Sequence, residues 1–437
     1  MKRSHTVLAI FFIVGAAAKA QVVPAVTGPT GLPVSGTLSY DLRYSQTAQF
    51  GDNQNDQQWS FASGDMSYAN MGQRLPFRMQ YGGGYGWDWD GSSSSQNFFQ
   101  HLSLSQGIVG RVWSITAGDN VSYSYQTPTT GFSGIPGIGE PIGGSGSTSV
   151  PDQTILALNT RTLDDFATIA FQDRLNYAWS LDVGGSDGQL RFLDNNGQDT
   201  NTLMANAGIT RRLDARNSTS AEYSYSRYTY GVTGIAVGTN SLLLGFNRQW
   251  NRRFTTTVSA GPDWIGSPGV PSAGGTPLPG STMLSLDASA TYQLRRAAAG
   301  VSYFHGTNSG AGYMLGAKID TVNANYSRDF GRSLSVGATG SYMRSASLFA
   351  AQFVLGVDGQ TTVVPVNFEG VSNAKYGGAQ VTRRFGRYLT AFASYTATAQ
   401  SSNLQLSSGY NSTLLSGQYQ VIGFGVGYTP RDLHLKR

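Results

Sequence analysis

The chain has 437 residues, of which 13% are charged, against roughly 25% in an average soluble protein. It has 56 Gly, 23 Tyr, 21 Phe and no Cys, which excludes a disulfide-stapled secreted module and a lipoprotein acylated on cysteine. The net charge of +5 includes Lys2, Arg3 and Lys19, so the remainder holds 27 bases against 25 acids and no basic tail or helix to bind nucleic acid.

The first element is an export signal. Lys2 and Arg3 precede the apolar run Val7–Val14, and Ala18-Lys19-Ala20 offers small residues to a signal peptidase, so residues 1–20 read as a signal peptide cleaved near Ala20. The run is too short for a helix that needs about 20 residues to span a bilayer. Residues 21–35 then read as a short periplasmic segment, 36–430 as one β-barrel, and 431–437 as a periplasmic tail.

From residue 36 the apolar period is two. Leu38, Tyr40, Leu42 and Tyr44 alternate with Ser39, Asp41, Arg43 and Ser45. Leu284, Leu286, Ala288, Ala290 and Tyr292 alternate with Ser285, Asp287, Ser289 and Thr291. Ile422, Phe424, Val426 and Tyr428 alternate with glycines. The pattern predicts strands near 36–49, 57–70, 75–90, 97–106, 110–126, 164–173, 177–194, 200–212, 217–231, 238–249, 253–265, 282–294, 297–307, 313–328, 333–346, 371–384, 388–400 and 415–430. Such lengths exceed the usual five or six residues of globular sheets and suit tilted membrane strands.

Two kinds of connection alternate. Short turns include Met71-Gly72-Gln73-Arg74, Gln106-Gly107, Arg211–Arg216, Trp250–Arg253, Leu294–Arg296, Asp329–Arg332 and Arg384–Arg387. The split at Arg174-Leu175-Asn176 is the least marked. Long loops rich in Gly, Ser and Pro cover 90–95, 127–163, 266–281, 346–370 and 401–414. Short turns on one rim and long loops on the other predict an all-β, closed, transmembrane, antiparallel up-and-down barrel of about 18 strands, with 16 as the alternative. Both termini then lie on the short-turn rim. Trp179 and Trp250 near short turns, with Trp87, Trp89 and Trp264 near long loops, would form aromatic girdles at the two interfaces.

At this point the chain resembles the porin-like bacterial outer-membrane β-barrels, over nearly all of its length and at the level of architecture. The final strand, with Ile422, Phe424, Val426 and Tyr428, looks like the aromatic-rich last strand read by the barrel assembly machinery, although nine residues follow Tyr428 here. The resemblance implies a cell outer membrane location among outer-membrane lipids. It also implies a third long loop folded into the lumen, which would set Glu140 and Asp152 of 127–163 against the wall residues Arg43, Arg78 and Arg227 as a pore constriction; the alternative is that 127–163 is a surface loop.

Nothing in the sequence marks catalysis. His5 lies in the signal and His434 in the tail, and His101 and His305 are isolated. No nucleophile motif or metal-spaced cluster is present, so no enzyme activity, cofactor or metal is expected. Asp194–Asp199 resembles a calcium loop but lacks the terminal Glu and reads as a tight turn. The leading functional expectation is passive diffusion of small polar solutes. The alternatives are an exopolysaccharide secretion conduit with a basic, aromatic-lined pore, and a structural or adhesive barrel with a loop-filled lumen. The oligomeric state stays open, with a trimer among the options.

Overall fold

The computed structural model describes residues 36–51, 57–70, 72, 74–88, 97–126, 160–193, 199–231, 236–266, 280–310, 316–348, 351–355, 361–365, 370–402, 417–430 and 433–435. Its strands are β1 (Gly36–Gly51), β2 (Gln57–Asn70), β3 (Phe77–Asp88), β4 (Asn97–Val109), β5 (Trp113–Gln126), β6 (Thr160–Asp173) and β7 (Trp179–Phe192). They continue as β8 (Thr200–Arg212), β9 (Asn217–Tyr230), β10 (Ala236–Gln249), β11 (Phe254–Gly266), β12 (Ser281–Leu294), β13 (Ala297–Asn308), β14 (Ala317–Phe330) and β15 (Leu334–Ser347). Last come β16 (Ala351–Leu355), β17 (Thr361–Pro365), β18 (Val371–Phe385), β19 (Leu389–Ser402), β20 (Gly417–Tyr428) and β21 (Leu433–Leu435).

Eighteen strands make the barrel wall: β1 to β15 and β18 to β20. Each pairs antiparallel with its sequence neighbour, and β20 closes onto β1 from Leu42↔Tyr428 to Gly51↔Tyr419. Closure follows from the solvent, because a free sheet edge in lipid would leave N–H and C=O groups without partners. Beyond β20, residues 433–435 of the expected tail pair with Leu38, Thr37 and Gly36 and extend the seam toward the short-turn rim. A separate hairpin of β16 and β17 lies within the 346–370 connection, where the sequence reads as loop.

The short turns use two local devices. In the first, an Asx side chain caps the turn. Ala178 N and Trp179 N donate to Asn176 Oδ1 at 2.8 and 3.0 Å, Arg216 N and Asn217 N to Asp214 Oδ1 at 2.6 and 2.9 Å, and Arg253 N and Phe254 N to Asn251 Oδ1 at 2.8 and 2.9 Å. The second device is glycine at positive φ, 77° at Gly331 and 67° at Gly386. The expected turn at Gln106-Gly107 is corrected: both residues lie inside β4, and the chain reverses between Val109 and Trp113. Gly107 is there because the backbone passes close to Pro76, whose carbonyl accepts its N–H at 2.7 Å; a Cβ would sit 2.6 Å from Pro76 Cγ.

Cross-strand partners share a face, so the register sorts every wall residue into inner or outer. Ile422, Phe424, Val426 and Tyr428 are 49%, 57%, 55% and 43% exposed and point outward. The glycines between them are buried rather than open to the lumen. Phe392 of β19 leans across Gly425, where a Cβ would lie 2.6 Å from its Cζ, and Thr390 and Ser394 likewise cover Gly427 and Gly423.

Candidate functional site: the barrel lumen

The inner wall is mostly Ser, Thr, Asn, Gln and Gly, and its polar groups bond sideways from strand to strand. Ser39 and Ser67 hydroxyls meet at 2.6 Å, as do Ser224 and Ser241. Asn247 Nδ2 donates to Thr257 Oγ1 at 2.7 Å, Ser341 Oγ to Asn323 Oδ1 at 2.6 Å, and Asn206 Nδ2 to Glu222 Oε1 at 3.3 Å. Each group carries partners in the wall and remaining valences for water, as a wet lumen requires.

The charged inner residues are few. Arg43, on β1, lies with its Nε 2.5 Å from Asp41 Oδ2. Asp41 is directly opposite Asp65 of β2, which is opposite Gly82 of β3, which is opposite His101 of β4. Because Gly82 has no side chain, His101 Nε2 reaches across it to within 3.7 Å of Asp65 Oδ1. Further round the wall the register turns Asp182, Glu222, Asp263 and Asp287 inward as well. Between the rims the inner wall is therefore more acidic than basic.

The long-loop side has the same sign. The connections 52–56, 89–96, 127–159, 193–199, 231–235, 267–280, 309–316, 348–370 and 403–416 contain no Lys or Arg, whereas they hold Asp52, Asp56, Asp90, Glu140, Asp152, Asp194, Asp199, Asp358 and Glu369. Asp199 fixes the ends of its own connection, accepting from Phe192 N at 2.9 Å and pairing with Arg191 at 3.2 Å.

Toward the long-loop rim the inner wall turns apolar and tight. Phe192, Tyr228, Tyr230, Val237, Ile265, Ile319 and Met343 are buried there. Tyr230 Oη donates to Ser309 O at 2.6 Å and accepts from Gly316 N at 2.6 Å, so one side chain of β9 holds both ends of the β13–β14 connection. Nothing in the sequence near Tyr230 marks this latch, because its partners lie 79 and 86 residues away.

The expected site residues separate as follows. Arg43 and Arg78 fall on the inner face, Arg78 near the short-turn rim where its partners are Ala69 and Ser105. Arg227 is corrected: its partners are Leu203 and Gly238, it shares the face of the exposed Tyr223, and it points outward. Glu140 and Asp152 lie outside the described residues, as does Trp89. Trp179 and Trp250 stand at the short-turn ends; Trp87 and the exposed Trp264 stand near the long-loop ends on the outer face. His305 is also on the outer face, opposite Leu286, with its Nδ1 2.6 Å from Asp320 Oδ1.

A closed, even-stranded antiparallel wall with apolar side chains outside and uncharged polar side chains inside defines a transmembrane β-barrel of the outer-membrane type. No family model matches the chain, and no curated protein matches it. Among solved structures it is similar to Pseudomonas aeruginosa OpdQ (11% identity, 91% of this chain and 98% of that chain, TM-score 0.44). It is also similar to Acinetobacter baumannii OccAB4 (8% identity, 92% and 99%, TM-score 0.44) and to Pseudomonas aeruginosa OccK7 (12% identity, 91% and 99%, TM-score 0.46). The assignment to the barrel class rests on the strand pairing and the faces described above.

Proposed function

We propose that this chain is an outer-membrane channel for passive diffusion of small polar solutes, with cations and neutral solutes favoured over anions. The observation that carries the reading is the inner wall. Eighteen strands enclose a lumen wide enough for water, and that lumen is lined with laterally bonded hydroxyls and amides and a surplus of carboxylates. Diffusion needs no covalent step, so the wall's task is to replace part of a solute's hydration and to set a charge bias. The acidic wall weighs against a polysaccharide conduit that would need a basic, aromatic-lined pore.

Several finer expectations belong to the same proposal. Residues 1–20 direct export and leave near Ala20, the β20 aromatics serve barrel assembly, and Glu140 and Asp152 add to the carboxylates of the mouth. A trimer fits the same reading. Liposome swelling with purified protein tests the channel. Small neutral sugars and amino-acid cations should enter fast and matched anions more slowly, whereas equal exclusion of all three would favour the loop-filled structural barrel.

A further inference from the structure

Four arginines lie over aromatic rings at one rim of the outer wall. Arg211 Cζ is 5.2 Å from the ring centre of Trp179, Arg248 Cζ 4.0 Å from that of Trp250, Arg328 Cζ 4.8 Å from that of Phe330, and Arg383 Cζ 5.1 Å from that of Phe385. All four arginines sit within three residues of the short-turn ends of β8, β10, β14 and β18. Their cross-strand partners place them outside: Trp179, Thr256, Val336 and Ala391 lie on the same face as Leu181, Val258, Ala338 and Ala393. The four arginines and three of the rings, those of Trp250, Phe330 and Phe385, are exposed.

The arrangement solves a problem of depth. The ring marks the apolar edge of the membrane interface, and a guanidinium over it is attracted by the negative ring face. A guanidinium that meets a ring through its face keeps N–H donors for an anion. Among the described residues none of these four arginines makes an ion pair. A planar fork of donors matches two oxygens of a phosphate. The adjoining turns add Arg216, Arg252, Arg253, Arg295, Arg296 and Arg332, which raise the local positive potential.

We infer that Arg211, Arg248, Arg328 and Arg383 are seats for the phosphate groups of anionic phospholipids in the leaflet on the short-turn side. The inference is independent of what passes through the pore. It is tested by native mass spectrometry of the full-length barrel titrated with phosphatidylglycerol, with phosphatidylcholine and inorganic phosphate as separate arms. The native protein should keep several phosphatidylglycerol molecules under conditions that strip phosphatidylcholine. Changing all four arginines to Gln should weaken that retention roughly tenfold or more, since charge-assisted bonds are lost at each seat. Changing them to Lys, which keeps the charge and loses the fork, should fall between. Arg227→Gln with Arg344→Gln, at the opposite rim, should leave retention unchanged. Undiminished retention in the four-Gln protein overturns the inference, as does an equal loss in the opposite-rim pair or full displacement of lipid by millimolar inorganic phosphate. If the four-Gln protein does not fold, Arg248→Gln alone should cost one bound phosphatidylglycerol, and no loss there overturns it equally.

Discussion

His101 and Asp65 belong to strands that do not touch, yet their side chains approach to 3.7 Å because the residue between them in the wall is Gly82. A Cβ at position 82 would collide with both Asp65 Oδ1 and His101 Cε1. Gly82→Ala should therefore push the pair into the lumen and lower single-channel conductance without unfolding the barrel. Asp65→Asn removes a wall carboxylate, and a unit charge a few ångströms from a permeating ion is worth about 1 kcal/mol in a well-hydrated pore. Attraction of K⁺ and repulsion of Cl⁻ are both lost, so the K⁺ over Cl⁻ permeability ratio should fall by up to roughly thirtyfold. Reversal potentials in a salt gradient read this directly, and unchanged values would remove Asp65 from the conduction path.

The two faces differ in their tolerance for charge. Leu244, 64% exposed near the middle of β10, points to lipid, and Ser259 of the neighbouring β11 points to the lumen. Leu244→Arg should destabilise the folded barrel by about 2–4 kcal/mol, as expected for arginine near the bilayer midplane. Ser259→Arg should cost much less. Equilibrium unfolding in lipid vesicles measures both, and equal costs would reverse the assigned faces. Leu286 of β12 faces the same way as Leu244, both pairing with Ala260 of β11, and is as central in its strand. Leu286→Arg should therefore carry a penalty similar to that of Leu244→Arg.

The Tyr230 latch has its own test. Tyr230→Phe keeps the ring and removes the hydroxyl that serves Ser309 O and Gly316 N. A buried donor and acceptor left without their partner cost about 1–3 kcal/mol. The amide of Gly316 should exchange with solvent faster, and proteases should cut the β13–β14 connection sooner. Unchanged protection at Gly316 would mean that the connection is held elsewhere.

The wall was legible in the sequence because a period of two exposes both faces of every strand, and the turn residues mark the ends. Asn176 illustrates this: a weak break in the pattern becomes a capped turn. What the sequence hid were contacts between distant strands. Nothing in Gly107 distinguishes a turn glycine from one that lets Pro76 approach, and nothing in Tyr230 announces a partner 79 residues away. Arg227 was misread because charge suggested the lumen, although alternation with Tyr223 and Tyr225 already assigned it to the outer face. The Arg–aromatic pairs at 248/250, 328/330 and 383/385 share a spacing of two visible in the sequence, but only the strand register shows that they occupy one rim.

The turn at Asp214 predicts a pH effect outside the membrane. Its carboxyl is held below the usual carboxylate range, chiefly by the Asn217 side chain and then by the Arg216 amide. A group with a lowered folded value stabilises the folded state above its unfolded value of about 3.9 and loses that contribution as pH falls through the lower folded value. Amide shifts of Arg216 and Asn217 should thus stay constant down to pH of about 4 and move below it. Asp214→Asn should abolish the low-pH transition, and its persistence in that variant would assign it to another group.

Whether the lumen is an open aqueous path is decided most directly by single-channel recording of the purified full-length protein in planar bilayers. Stepwise insertions with ohmic current and a reversal potential on the cation side are predicted, with the current carried past Asp65 and its neighbours. Stable insertion of folded protein with no conductance, or a clear anion preference, would contradict the channel reading and its acidic wall.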